Sequence, residues 1–335
     1  MAKSETPPAL AARERKISSW PPRARELTGE KIGERYVVCD LIGEGQLGAT
    51  YDARDLTLGR DVAFKTLLLG NDPTSEPAAR LRREARVASV LRDPAVCKVS
   101  DLGALDDGTP YIVMERLTGE TLADRITAEG ALPVDEVIDL MLQTVQALRV
   151  AHERGIVHRD VRPEKIFLIR RSEGCAAPIK LLDFGVAKTP DDRDPSPDWT
   201  RNGTPYTSPE QALGKPHDAR TDIWSCGVVL YEAITGRRPF SAPNYNALIR
   251  EIADVTPRPV CEVRRDIPRA LGTVIERAMA ADPARRFQSA AEFTGDLLAL
   301  GRELADEAPT TPYGNRDLGA LELTMTKLSV RLRPE

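Results

Sequence analysis

The sequence predicts an α+β fold in which a small antiparallel sheet with one helix comes first and a mainly helical part follows. Short runs of β-branched and aromatic residues, at positions 36–42 and 61–69, are separated by turn residues and indicate a meander of antiparallel strands. Beyond Gly119 the apolar residues recur at helical spacing over long stretches. The 335 residues suffice for one or two domains of ordinary size.

The predicted elements follow one another in a simple order. Residues 1–35, rich in Pro, Arg and Glu, are expected to form a flexible or weakly helical N-terminal extension. The helix that accompanies the sheet is expected over 78–91, where Leu81 and Ala85 share one apolar face, and a further strand over 111–114. Long helices are predicted over 133–154, 222–235, 245–254, 267–281 and 290–304.

Residues 305–335 form a C-terminal tail of different texture. Apolar and polar side chains alternate on both sides of a phase slip between Met325 and Leu328, which predicts short strands. Such a tail either docks on the helical part or frays, or it adds a strand to the sheet edge of a partner. Both interpretations stay open at the level of sequence.

The composition excludes several classes of protein. Hydrophobic residues make up 41% and charged residues 29%, which is inconsistent with wholesale disorder or a collagen-like chain. With 47 basic and 51 acidic residues the net charge is −4, so no basic field indicates a nucleic-acid partner. No apolar run reaches the length of a membrane span, and five scattered cysteines indicate a reducing compartment. We therefore expect a cytoplasmic protein without a nucleic-acid or membrane partner.

A glycine-rich segment follows the first predicted strand. Gly43, Gly45 and Gly48 allow the backbone to approach phosphate oxygens and offer N–H donors to them. The same spacing also occurs in ordinary turns. A dinucleotide-binding fold would need a helix directly after the glycines, whereas the next element here is a predicted strand that carries Val62-Ala63-Phe64-Lys65.

With these residues the chain resembles the eukaryotic-like (Hanks-type) Ser/Thr protein kinases of bacteria, and the resemblance covers about residues 36–304. It implies a bilobal protein kinase fold: a small antiparallel β-sheet N-lobe with one main helix (36–114), a hinge (115–119) and a mainly α-helical C-lobe (120–304). The further motifs that carry the resemblance, in family order, are His158-Arg159-Asp160, Asp183-Phe184-Gly185, Ser208-Pro209-Glu210, residues 222–227 and residues 282–287.

The resemblance implies an ATP site. Lys65 would contact the phosphates, and Glu84 on the first helix would pair with the Lys65 ammonium. The alternative is that Glu84 is one more charge on a solvated helix face. In the hinge, Glu115 and Leu117 would offer backbone groups to the adenine ring. The side chains expected to enclose that ring are Thr50, Ala63 and Phe167.

The resemblance also assigns the chemistry. Asp160 would orient a Ser or Thr hydroxyl of a protein substrate and accept its proton. Asp183 would hold Mg²⁺, with Mn²⁺ as the alternative ion. Arg159 beside Asp160 implies control by phosphorylation of the activation segment, for which Ser196 and Thr200 are candidates, although either could be a plain loop residue.

Three features depart from the family pattern. Arg162 stands in place of a lysine and keeps a cation near the transferred phosphoryl group, with a wider fork and a more diffuse charge. Lys165 stands in place of the asparagine whose amide oxygen binds a metal ion, and an ammonium has no lone pair to donate. It either repels the cation or replaces part of its charge on the phosphates. The segment 203–210 is one residue shorter than the family pattern.

These departures leave two functions open. One is a Ser/Thr protein kinase that transfers the ATP γ-phosphoryl group to protein hydroxyls, with reduced activity because of Lys165. The other is a pseudokinase, a nucleotide-binding or scaffolding regulatory module. The presence of Lys65, Asp160 and Asp183 favours the first, and Lys165 favours the second. A soluble regulatory partner bound through the terminal extensions is compatible with either.

Overall fold

The computed structural model describes residues 27–45, 48–68, 74–91, 93–170, 179–185, 187, 204–254 and 256–307. The chain divides into two compact units, one formed by residues 1–125 and 150–201 and the other by residues 126–149 and 202–335. Both β-sheets lie in the first unit, and long helices dominate the second. The α+β, bilobal fold class expected from the sequence is confirmed.

The first unit contains a six-stranded antiparallel sheet and one long helix. The sheet has the strand order β1-β2-β3-β4-β6-β5. Helix α1 (Glu76–Val90) contacts β4, β5 and β6. The strands are β1 (Lys31–Ile32), β2 (Tyr36–Glu44), β3 (Gly48–Asp55), β4 (Arg60–Leu67), β5 (Val99–Ala104) and β6 (Pro110–Glu115).

Two apolar clusters hold this sheet, one on each face. Phe64 of β4 belongs to the first cluster and stacks on Tyr111 with ring centroids 4.6 Å apart. Leu67 of β4 belongs to the second cluster, where Leu81 of α1 packs. Because side chains alternate across a strand, Lys65 projects toward the same face as Leu67, which is the face that α1 covers. The strand thus directs Lys65 toward the helix that carries Glu84.

A second, three-stranded antiparallel sheet completes the described part of this unit. It has the order β7-β8-β9, and β8 follows directly on a single turn of 3₁₀-helix, Pro163–Lys165. A parallel bridge between Val96 and Leu181 connects β9 to the segment before β5. The strands are β7 (Gly119–Thr121), β8 (Ile166–Ile169) and β9 (Ile179–Leu181).

The helices agree with the long helical patterns of the sequence. All five predicted helices are present, with ends that differ by a few residues, and α5 is buried from Thr221 to Tyr231. Trp224 of α5 stacks on Phe240 with centroids 5.8 Å apart. The helices after α1 are α2 (Leu122–Glu129), α3 (Val134–His152), α4 (Pro209–Ala212), α5 (Arg220–Thr235), α6 (Tyr245–Asp254), α7 (Val260–Val263), α8 (Arg269–Ala278) and α9 (Ala290–Glu307).

A buried ion pair joins two of the sequence motifs in the second unit. The Arg286 guanidinium donates through Nη1 and Nη2 to the two carboxylate oxygens of Glu210, each at 2.7 Å. Its remaining N–H groups donate to three main-chain carbonyl oxygens, those of Ala280, Arg220 and Ala281. All five donors of the guanidinium are therefore satisfied, which is the condition for burying such a charge.

Regular structure begins before residue 36, and the described part of the chain ends at residue 307. Lys31–Ile32 pairs with β2, so regular structure begins inside the segment predicted as the extension 1–35. The tail from 308 onward, with its predicted strands, lies outside the described residues. Within the described ranges, no helix combines the length and the apolarity that crossing a membrane requires.

Candidate active site

Lys65 and Glu84 form a partly buried ion pair in the first unit. The Lys65 ammonium donates to Glu84 Oε2 at 2.6 Å, and the Glu84 side chain is only 6% exposed. Glu84 is therefore not a charge on a solvated helix face, the alternative that its sequence position allowed. Burial raises the pKa of Glu84. Burial also acts to lower the pKa of Lys65, but the Asp183 and Glu84 carboxylates outweigh it and raise that pKa, so the lysine stays charged.

Asp183 receives two lysine ammonium groups on one carboxylate oxygen. Its Oδ2 accepts a hydrogen bond from Lys165 Nζ and lies 3.6 Å from Lys65 Nζ. Its Oδ1 accepts from the Gly185 amide at 3.2 Å. Burial acts to raise the pKa of Asp183, but Lys165 and Lys65 outweigh it and hold that pKa well below its usual range. Asp183 is therefore a carboxylate at neutral pH.

The main chain places Lys165 beside Asp183. The Lys165 amide donates to the Arg162 carbonyl, and the Lys165 carbonyl accepts from the Leu182 amide, both at 2.8 Å. Leu182 immediately precedes Asp183, and the strands on either side pair with Ile166 opposite Leu181. Position 165 is thus fixed next to position 183 by backbone hydrogen bonds, whatever its side chain.

Asp160 and Arg162 form an ion pair in the loop before the 3₁₀ turn. Arg162 Nε lies 3.2 Å from Asp160 Oδ1, and both side chains remain partly accessible. Burial raises the pKa of Asp160, and the nearby Arg162 and Lys165 partly offset the rise. A carboxyl group with a raised pKa is a stronger base than an exposed aspartate once it is ionised.

His158 anchors this loop, a role that residue-by-residue analysis of the sequence missed. Its ring Nε2 lies 3.1 Å from the Leu182 carbonyl, and its Nδ1 accepts from the Asp160 amide at 3.3 Å. The ring also contacts Phe184, with centroids 4.5 Å apart. His158 therefore connects the Asp160 loop to the strand end that carries Asp183. Its place directly before Arg159-Asp160 was the available signal.

The residues predicted to contact adenine lie on β3, β4, β6 and β8, except Leu117, which follows β6. Thr50 pairs with Lys65 and therefore shares its face of the sheet. The Glu115 amide donates to the Lys98 carbonyl at 3.0 Å, so any backbone contact from Glu115 to a ring is made by its carbonyl oxygen. The remaining predicted contacts are Ala63 on β4, Leu117 after β6 and Phe167 on β8.

An ion pair that the sequence did not predict lies on the Thr50 face of the sheet. Asp52 is the register partner of Ala63 on that face. The Arg116 guanidinium forks onto the Asp52 carboxylate, with Nη2 2.8 Å from Oδ2, and also donates to the Leu117 carbonyl. The Leu117 carbonyl is therefore already a hydrogen-bond acceptor within the chain.

The three glycines of the loop differ in how strictly their positions require glycine. A Cβ at Gly48 would lie 2.4 Å from the Thr66 carbonyl oxygen, so no side chain fits there without displacing β4. The Gly45 amide donates to the Gly48 carbonyl at 2.8 Å. Gly43 is register partner of Thr50, and a Cβ there would make only ordinary contact with that side chain. Residues 46 and 47 lie outside the described residues.

The predicted regulatory residues are only partly described. Arg159 adopts a left-handed backbone conformation with φ of 69°, as does Asp183 with φ of 63°. Non-glycine residues in this conformation cost about 1–3 kcal/mol and cluster at functional sites. Ser196 and Thr200 lie outside the described residues.

Fold and site together define a protein kinase domain, and the chain belongs to the protein kinase family: it matches the protein kinase domain over residues 36–295. Among curated proteins, it is 39% identical over 287 residues to a probable serine/threonine-protein kinase of Corynebacterium efficiens, with 83% of this chain and 43% of the relative covered. It is 38% identical over 301 residues to the serine/threonine-protein kinase pkn3 of Myxococcus xanthus, with 86% of this chain and 54% of that protein covered. The chain thus spans about half the length of the curated relatives it matches.

Solved structures agree with this assignment. The kinase domain of Mycobacterium tuberculosis PknI is 27% identical, with a TM-score of 0.62 over 81% of this chain and 97% of that domain. A double mutant of the same domain gives a TM-score of 0.65 at 26% identity, with 82% of this chain and 98% of that domain covered. The chain is therefore similar in fold and in sequence to bacterial serine/threonine-protein kinases.

Kinases of this family use ATP and divalent metal ions, held by the aspartate of the Asp-Phe-Gly motif and by an asparagine of the catalytic loop. Asp183 fits the first role, because its carboxylate is ionised and, among the described residues, its Oδ1 accepts one hydrogen bond, from the Gly185 amide. Lys165 does not fit the second, because its ammonium cannot donate a lone pair and already contacts Asp183. Within the described ranges, no three His, Cys, Asp or Glu side chains are grouped as a metal site.

Proposed function

We propose that this chain is a Ser/Thr protein kinase that transfers the γ-phosphoryl group of ATP to hydroxyl groups of a protein substrate. The observation that carries the proposal is the partly buried chain of contacts from Glu84 through Lys65 to Asp183. A strand, a helix and a loop distant in sequence are needed to build it, and Asp160 lies in the loop that His158 ties to the same strand end.

Each residue has a role that follows from its surroundings. Lys65, held by Glu84, presents a fixed positive charge to the phosphates without reorganisation. Asp160 accepts the proton of the Ser or Thr hydroxyl, a role its raised pKa supports. Arg162 offers its guanidinium to the transferred group. For the transfer step, one divalent ion, Mg²⁺ or Mn²⁺, would be held by Asp183 together with phosphate oxygens and would stabilise the charge on the transferred group.

A nucleotide-binding pseudokinase is the second candidate, favoured by the contact of Lys165 with Asp183. In that case the same residues bind nucleotide but the reduced metal site prevents efficient transfer. Both candidate functions include nucleotide binding, and they differ in whether the γ-phosphoryl group is transferred efficiently.

We extend the proposal to the surroundings of the enzyme. The substrate is a protein with an accessible Ser or Thr, and a soluble regulatory partner binds the terminal extensions. The protein acts in the cytoplasm, and a hinge at 115–119 separates an N-lobe (36–114) from a C-lobe (120–304) along the chain. Thr200 or Ser196 carries the regulatory phosphate.

The proposal is tested by the intact mass of purified protein after incubation with ATP and Mg²⁺ or Mn²⁺, with and without a general protein substrate. Asp160→Asn is the inactive variant. Asp107→Asn is its matched control, because Asp107 lies in an exposed turn where its Oδ1 accepts from the Thr109 amide, as an asparagine oxygen also can. Phosphate on the parent and on Asp107→Asn, but not on Asp160→Asn, supports a kinase. Nucleotide binding without phosphate on any of them would replace it by the pseudokinase.

A further inference from the structure

We propose that the Lys165 ammonium is a built-in cation that takes the place of one metal ion, so that this site binds a nucleoside triphosphate without a divalent cation. The inference rests on the proposed function for the identity of the ligand. It goes beyond that function because it assigns the site a metal-free form of the nucleotide as ligand.

The lone pairs of Asp183 are the first consideration. Oδ2 is engaged by the Lys165 ammonium and faces the Lys65 ammonium at 3.6 Å. A metal ion that bridged residues 165 and 183 would need an oxygen from the first and Oδ2 or Oδ1 from the second. Residue 165 supplies a positive charge instead of an oxygen, so such an ion meets repulsion where it needs a ligand.

The charge of the cluster gives the second argument. Lys65 and Lys165 face the carboxylates of Glu84 and Asp183, so the four side chains are electrically balanced. With the family's asparagine at position 165, the same cluster would carry one net negative charge, which repels a phosphate chain unless cations accompany it. In this chain the compensating charge is covalently attached, and no ion has to be recruited from solution.

The position of Lys165 is fixed, which makes its charge a lasting property of the site. Its amide and carbonyl are both held by main-chain hydrogen bonds, and its side chain is 16% exposed. An ammonium has three N–H donors, and the contact with Asp183 uses one. Within the part of the chain that the structure describes, the other two N–H groups have no hydrogen-bond partner, so they can donate to phosphate oxygens and act as a second point charge beside Lys65.

The experiment is calorimetric titration of the full chain with ATP, once in excess Mg²⁺ and once in EDTA. For the parent, we expect the two dissociation constants to agree within about threefold. Lys165→Asn should bind at least about tenfold more weakly in EDTA than in Mg²⁺. Lys165→Arg keeps the charge and should keep the metal-independent binding. Lys31→Asn is the control, because it removes a lysine from an exposed carboxylate pair, with Glu34, and should behave as the parent.

Each outcome decides the inference, and thermal unfolding of every variant verifies that it is folded. Parent protein that binds only with Mg²⁺ overturns the inference and leaves the kinase proposal standing, since phosphate transfer is measured separately by mass. Metal-independent binding by both the parent and Lys165→Asn shows that Lys165 is not the cause and also overturns it. No binding under either condition removes the nucleotide site itself and the proposed function with it.

Discussion

Replacing Arg286 by alanine tests how much a buried ion pair contributes in the second unit. The guanidinium is fully buried, its five N–H groups all have acceptors, and its partner Glu210 is 7% exposed on its side chain. The hydroxyl of Thr221 also donates to Glu210 at 2.9 Å. After the substitution, that hydroxyl is the one described side-chain donor left to a buried carboxylate.

The expected loss of unfolding free energy is about 3–5 kcal/mol, the usual cost of leaving a buried charge without its partner. Removing both charges should cost less, so Glu210→Leu combined with Arg286→Met should be more stable than Arg286→Ala alone. Burial acts to raise the pKa of Glu210, but Arg286 outweighs it and lowers that pKa. The stabilisation is therefore present above the pKa of an unfolded glutamate and is lost as the pH falls through the lowered, folded-state value.

The assay is urea unfolding followed by circular dichroism, with hydrogen exchange of peptides from α5 as a local readout. Arg258→Ala is the matched control, because Arg258 pairs with Glu262 at 3.3 Å on the surface, with both side chains more than half exposed. Its expected cost is about 0–1 kcal/mol. If Arg286→Ala costs no more than Arg258→Ala, or if the double variant is the less stable one, the reasoning about uncompensated burial is wrong.

Three further predictions concern the candidate site. Lys65→Ala should weaken ATP binding about tenfold to a hundredfold, measured by calorimetry in Mg²⁺, because a charged hydrogen-bond donor to phosphate is lost; equal affinity would remove the lysine from the site. Arg162→Gln should move the acid limb of the transfer rate to higher pH, because the guanidinium lowers the pKa of Asp160 against burial; an unmoved limb would contradict Asp160 as the base. Gly48→Ala should lower the thermal unfolding midpoint, because its Cβ would meet the Thr66 carbonyl at 2.4 Å, and an unchanged midpoint would refute that contact.

Much of the fold was predictable because its signals are local. The five long helices have apolar residues at helical spacing, and the strand that carries Lys65 has β-branched or aromatic residues at every second position, Val62, Phe64 and Thr66. Strand β3 escaped prediction although it alternates correctly, because alanines occupy two of its buried positions, Ala49 and Ala53. Such small side chains give a weak periodic signal. The short strands β8 and β9 were not predicted either, because three or four residues are too few to show an alternation of apolar and polar side chains.

The contacts of the site were predictable only where a motif implied them. The sequence left open whether Lys165 repels a cation or lies on the phosphates, and it did not indicate Asp183 as its contact. That contact depends on the pairing of β8 with β9, which brings Leu182 to the Lys165 carbonyl. The Glu210–Arg286 pair likewise joins two motifs that the sequence presents separately. Long-range pairing of this kind has no local signature.

The main-chain hydrogen bonds around position 165 have a consequence for how such proteins diversify. Because the loop is held by the amide and carbonyl of Lys165, its shape does not depend on the side chain there. The codons for lysine and asparagine are neighbours in the genetic code, so a lineage can exchange these residues in one mutational step while the main-chain hydrogen bonds of the loop stay available. Dependence on a metal ion then becomes a trait that natural selection can adjust to the supply of that ion, independently of the architecture that carries it.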